Sequence, residues 1–180
     1  NSAAVADVLD RLLAAALESD AAPSTDSQTW AERAIAIRER TAGASSLEFG
    51  NALINAARLA FKAARYADAE LLYTRAASAC EAVEGPEGTT LASALNDRAL
   101  CLQMLVRFDE AEPLYMRALA IRSKQLGEDH PDTAGTVNNL AALARHRGEY
   151  AHAIELYGRA LSSFERAEGR RETGLATEGL

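Results

Sequence analysis

Residues 127–169 read GEDHPDTAGTVNNLAALARHRGEYAHAIELYGRALSSFERAEG, and this stretch decides the fold. Val137, Leu140, Ala141 and Ala144 recur at i, i+3, i+4 and i+7, which is one face of a helix. Arg147-Gly148-Glu149 breaks that pattern. Ala153, Leu156, Tyr157, Ala160, Leu161 and Phe164 then resume it with the same period. Gly169 is expected to close this second helix as a left-handed C′ residue. One unit is therefore two helices and a short turn.

The unit repeats. Gly43, Gly85, Gly127 and Gly169 stand on one stride, as do Arg33, Arg75, Arg117 and Arg159, and Ala34, Ala76, Ala118 and Ala160. Glycine makes up about 7% of average sequence, so four in one column arise by chance roughly 2 times in 100,000. A helical period of this length predicts a solenoid. The expected fold is all-α: a right-handed superhelical α-solenoid of antiparallel helix pairs, about four repeats long. The single array divides into a degenerate first repeat over 1–43, then repeats over 44–85, 86–127 and 128–169. Residues 170–180 would begin a capping or fifth-repeat helix.

The flanking units agree in register. Tyr66, Phe108 and Tyr150 align, as do Ala69, Ala111 and Ala153, and Tyr73, Tyr115 and Tyr157. Asp109 is the expected N-cap of its helix, with Glu112 completing a capping box and Pro113 in the first turn. Pro131 suits a first helical position, with His130 held extended before it. In the first unit a helix is expected over 3–19. A connector from Asp20 to Gln28 follows, and the ladder resumes at Trp30. The chain opens on Asn1-Ser2-Ala3-Ala4 without an initiator Met, and Ala176 lies where a fifth unit would start. A longer parent protein is expected.

Composition narrows the function. With 180 residues, 48% hydrophobic and 25% charged, the chain carries enough apolar surface for a core. Its net charge of −7 and pI near 5.0 argue against nucleic acid as a partner. No apolar run is long enough to span a bilayer, and Asp7, Asp10 and Arg11 interrupt the early apolar stretch, so it does not read as a signal peptide. Cys80 and Cys101 sit among small apolar residues, as buried reduced thiols of a cytoplasmic protein would. Asp129-His130-Pro131-Asp132 has no nucleophile placed with it. His130, His146 and His152 lack metal-ligand spacing, and no glycine-rich phosphate loop occurs. Neither an enzyme nor a cofactor is expected.

Small residues at Ala99 and Ala141 in first helices, and in the two alanine columns of second helices, permit tight helix crossing. With an aromatic before each second helix, they give the tetratricopeptide layout, stretched beyond the ~34-residue form. Leu126-Gly127-Glu128-Asp129-His130-Pro131-Asp132-Thr133-Ala134 with Val137-Asn138-Asn139-Leu140-Ala141 closely resembles the repeats of kinesin light chains. So does the run from Glu110 to Ile121. The resemblance covers residues 30–169; Arg98 departs from it by standing where Leu140 does, and the first unit lacks the Asn-Asn pair.

That resemblance implies that first helices line a concave groove and second helices the convex side. The expected groove residues are Asn55, Arg58, Phe61, Lys62, Asn96, Leu100, Gln103, Met104, Asn138, Arg145 and His146. Arg58, Lys62 and Arg145 would make the groove basic, with Phe61, Leu100 and Met104 as apolar floor. This favours an acidic peptide with an apolar or aromatic anchor. Asn96 and Asn138 are read either as amides gripping a peptide backbone or as bridges between neighbouring helices. The arginine column is read as a solvated face, with Glu155 pairing to Arg159 at i+4. The expected activity is a protein- or peptide-binding scaffold, as a monomer or weak homodimer. The alternative is a regulatory or self-assembly segment of a larger signalling protein.

Overall fold

The computed structural model describes residues 2–177, with side chains through Gly169. Eight helices follow one another among these residues: α1 (Ser2–Glu18), α2 (Thr25–Ala42), α3 (Leu47–Lys62), α4 (Tyr66–Glu84), α5 (Thr89–Met104), α6 (Phe108–Leu126), α7 (Pro131–His146) and α8 (Tyr150–Thr177). No strand occurs among them. Each helix packs on the next, and α1 also meets α3 while α5 meets α7. The odd-numbered helices therefore form one layer and the even-numbered helices the other, as the repeat pattern requires.

Turn chemistry sets the stride. Gly43, Gly85 and Gly127 end α2, α4 and α6 at φ of +89°, +77° and +92°, a conformation that costs a side-chain-bearing residue ~1–2 kcal/mol. Within each of the last three units, the first helix closes on a repeated hydrogen bond. The Arg65 amide donates to the Ala60 carbonyl at 2.9 Å, Arg107 to Leu102 at 2.8 Å, and Glu149 to Ala144 at 2.9 Å. This six-to-one closure needs a left-handed residue just before the donor, and Ala64, Val106 and Gly148 supply it.

Helix starts are capped by different means. Ser24 and Ser46 accept from the amides of Ser27 and Phe49. The Glu84 carboxylate, at the end of α4, accepts from the Thr90 and Leu91 amides at 3.1 and 3.2 Å and so caps α5. His130 Nδ1 accepts from the Asp132 amide, with Pro131 at the first turn of α7 as expected.

The core is a ribbon running the length of the array. Leu9, Leu13, Ala31, Ala34 and Leu59 join α1, α2 and α3. Phe49, Leu53, Tyr73, Leu91, Leu95 and the two thiols join α3, α4 and α5. Leu102, Tyr115, Leu140 and Leu143 carry it to α7. Cys80 and Cys101 are free and buried, and burial pushes their pKa up to about 11 and about 12.

Four local expectations are corrected. Helix α2 starts at Thr25 inside the expected connector, because Ser24 caps it there. Helix α6 starts at Phe108 behind the left-handed Val106, so Arg107 takes the cap position, where its side chain caps no amide and donates to Glu110 instead. Asp109 then lies within the helix and bonds Arg147 instead, and Pro113 falls in the second turn. Its missing N–H orphans the Asp109 carbonyl on a solvent-facing stretch, where water is at hand. Helix α8 does not stop at Gly169 but runs to Thr177. A helix can carry a glycine at ~1 kcal/mol when no left-handed turn is imposed on it. Residues 178–180 of the expected fifth-repeat start lie outside the described residues.

Candidate functional site

The inner layer of α3, α5 and α7 is cross-linked by polar side chains. Arg58 of α3 pairs with Asp97 of α5 at 3.5 Å. The Tyr73 hydroxyl donates to the same carboxylate oxygen, Oδ2, at 3.3 Å, and burial beside Asp97 raises the phenol's pKa. Asn96 donates to Asp97 at 3.0 Å and accepts from Asn139 of α7 at 3.1 Å. The chain of contacts thus runs from α3 to α5 to α7.

A solvent-open hollow of about 630 Å³ lies on this layer. Asn51, Ile54, Asn55 and Arg58 of α3 form one wall. Thr89, Thr90 and Ser93 of α5 form the middle, and His130 and Asp132 form the far wall. Beneath it Arg122 of α6 is buried without a carboxylate within ion-pair distance among the described residues. Its guanidinium donates to the Asp132 carbonyl, the Thr136 hydroxyl and the Ser93 hydroxyl at 3.0, 2.8 and 3.1 Å, and burial lowers its pKa. The threonines, Ser93 and Asp132 were not among the expected groove residues. A charged residue between the uncharged Cys80 and Phe164 of its column was the signal available in sequence.

The expected groove residues divide into two groups. Asn55 and Arg58 line the hollow, while Leu100, Met104, Asn138 and Arg145 lie elsewhere on the inner helices with at least partial exposure. The other five are engaged within the fold. Lys62 donates to the carbonyls of Ala16, Leu17 and Ser19 at the end of α1. Asn96 bridges helices as described, and Gln103 accepts from the buried Tyr115 hydroxyl at 3.1 Å. Phe61 meets Tyr66 edge-on at 5.1 Å, and His146 stacks on Phe108 at 5.9 Å. The basic character of this face rests on Arg58 and Arg145.

The arginine column reaches across to residues on other elements instead of pairing at i+4. Arg117 reaches Glu81 of α4 and Arg159 reaches Glu128, both at 2.6 Å, while Arg75 lies over the Phe49 ring. Between these even-numbered helices the outer side carries furrows. One of about 550 Å³ separates α2 from α4, and one of about 180 Å³ separates α6 from α8. Their linings match two strides apart: Ile35 with Leu119, Leu59 with Leu143, Leu72 with Leu156. The floor column explains the difference. Ala56 leaves the larger space and Leu140 the smaller. Between α4 and α6 the same column holds Arg98, whose Nε donates to Glu70 at 2.7 Å, with the Thr74 hydroxyl on the same oxygen at 3.2 Å.

Stacked helical hairpins with an accessible inner wall define a repeat fold typical of protein–protein interaction scaffolds. Residues 90–166 match the tetratricopeptide repeat family model, and kinesin light chain-like repeat proteins stand among the structural neighbours. BtubC (BKLC) from P. vanneervenii superposes with a TM-score of 0.72 at 20% identity, over 78% of this chain and 56% of that one. The chain therefore spans little more than half the length of BtubC. A Podosopora anserina protein with nearly identical TPR-like repeats of kinesin light chain kind gives 0.65 at 15% identity, over 90% and 86%. A Rap protein complexed with Competence and Sporulation Factor gives 0.65 at 20%, over 76% and 37%. At these identities the likeness is one of fold. Among curated proteins none matches the chain. No described helix is long and apolar enough to cross a membrane.

Proposed function

We propose that the chain is a scaffold whose inner wall holds an extended segment of a partner protein. The observation that carries this is the open hollow across α3, α5 and the start of α7, lined by side chains able to bond a peptide backbone. Asn51, Asn55, Thr89, Thr90 and Ser93 supply donors and acceptors, and Arg58 supplies the charge. Arg58 is half exposed and only loosely paired at 3.5 Å, so an incoming carboxylate competes with Asp97 for it. Arg145 extends the basic character along the wall, and Leu100 and Met104 offer contact for an apolar or aromatic anchor. The Rap complex supports the reading, since a protein of this fold is there complexed with Competence and Sporulation Factor. The test is fluorescence polarisation against a library of acidic peptides with and without an aromatic residue. R58Q/R145Q is expected to weaken the best binders at least ~10-fold, and R58E/R145E to abolish them. Unchanged affinity in both variants overturns the acidic preference.

A second reading, assembly of copies of the chain, draws on the exposed apolar side chains of α1 and α8. Val5, Val8 and Leu12 of α1 are exposed, and so are Tyr150, Ile154, Leu161 and Phe164 of α8.

A further inference from the structure

We infer that the furrow between α2 and α4 docks a helical segment of a partner protein. An arginine of that segment takes the role that the chain's own arginines play at the other two junctions. The contact lies on the outer side and is separate from the inner wall.

The three junctions between even-numbered helices share one plan. Their wall column runs Gln28, Glu70, Glu112 and their floor column Ala56, Arg98, Leu140. At the middle junction Arg98 meets Glu70 from the floor at 2.7 Å, and that carboxylate is only 11% exposed. At the last junction the floor is apolar and the cation comes from the turn between α7 and α8. There Arg147 meets Glu112 at 2.6 Å, and about 180 Å³ remains open. In both places a guanidinium of the chain itself sits against a wall carboxylate.

The first junction lacks that guanidinium. Ala56 stands at the place of Arg98 and Ala63 at the place of Arg147. About 550 Å³ stays open, within the size range of ligand pockets. A wall carboxylate is nevertheless present. Glu32, one turn along α2 from Gln28, lines the furrow, is exposed and has no ion-pair partner among the described residues. Gln28 adds an amide acceptor to the same wall. The cations of the furrow are already engaged. Arg65 pairs with Asp68 of its own helix at 3.7 Å, and Arg75 lies over the Phe49 ring at 5.7 Å. The site therefore offers an anionic wall over an apolar trough to a cation brought from outside.

One arginine fills only part of this space. Its methylene stem suits the apolar lining of Ile35, Leu59 and Leu72. Leu71, on the same lining, is 63% exposed and calls for a second, apolar contact. A helix with an arginine and a leucine four residues on presents both from one face, as helix-in-groove partners do.

The probe is an alanine-based helical peptide of about 16 residues with that arginine and leucine. Titrated into the isotope-labelled chain, it should shift the amide resonances of Glu32, Ile35, Leu71 and Leu72, with a Kd on the order of 100 µM. Replacing its arginine by citrulline, which keeps the shape and loses the charge, should weaken binding ~10-fold. E32Q should weaken the arginine peptide to the same degree and leave the citrulline peptide unaffected. Q28E/A56R, which installs the middle junction's own pair, should abolish binding of both, with circular dichroism confirming that it folds. Equal affinity for the two peptides, undiminished binding by Q28E/A56R, shifts centred on the inner wall, or no shift at all would each overturn the proposal. Capture of acidic peptides through Arg58 and Arg145 stands or falls separately, on its own polarisation measurement.

Discussion

Val106 shows the conflict between stride and side chain. It sits at φ of +62° and is 70% exposed, so it pays for a left-handed backbone and recovers nothing through packing. The chain places Gly148 at the same point of the next unit, at φ of +81°. V106G is therefore expected to raise the unfolding free energy by ~1 kcal/mol, read as a higher urea midpoint with unchanged slope. The same substitution at a right-handed helical position would lower it. The column Ala64, Val106, Gly148 was visible in the sequence, but only its last member announced a turn. A β-branched residue in that conformation is invisible to propensity because the six-to-one closure imposes it from outside.

At the scale of the element, α5 is the helix most dependent on its neighbour. Gly88 gives it no capping side chain, and the Glu84 carboxylate from α4 takes its first amides. Charge complements the helix dipole there. E84A is expected to cost ~1–2 kcal/mol in chemical denaturation, with E84Q recovering part of it. Protection of the Thr90 and Leu91 amides in hydrogen exchange should fall in E84A before that of mid-helix residues. Helix existence and pairing were legible from periodicity: α1 and each helix pair from residue 30 onward lie where the apolar spacing puts them. Boundaries were less so. Asp109 resembles a cap until the preceding turn is known, and Gly169 resembles a stop until nothing forces it to be one. The inner-wall residues were legible as a face, whereas their engagement was not. Nothing in the spacing of Lys62 or Gln103 discloses that one closes α1 and the other holds a buried tyrosine hydroxyl.

For the whole molecule, the two thiols report on the integrity of the ribbon core. Both hold their protons above the ordinary thiol value, Cys80 at about 11 and Cys101 at about 12. The unfolded chain releases those protons near pH 9, where the folded chain still keeps them. The unfolding free energy should therefore be full below about pH 9 and fall as the pH rises through about 11 for Cys80 and about 12 for Cys101. Comparing wild type with C80A/C101A in urea at about pH 8 and about pH 10 isolates this slope, which the double variant should lack. An equal pH dependence in both proteins would mean that the thiols are not buried as described.

The Arg98–Glu70 pair has a consequence for how a chain of look-alike units finds one arrangement. Near-identical hairpins invite a slip of one unit during folding, with α5 settling where α3 belongs. Such a slip would set the Arg98 guanidinium against Gln28 in place of Glu70, and would set Glu70 over Ala56 in place of Arg98. Burying either charge alone costs several kcal/mol, far more than the correct pair returns. This half-buried ionic joint thus acts as an index mark, penalising misaligned assemblies more than it strengthens the right one.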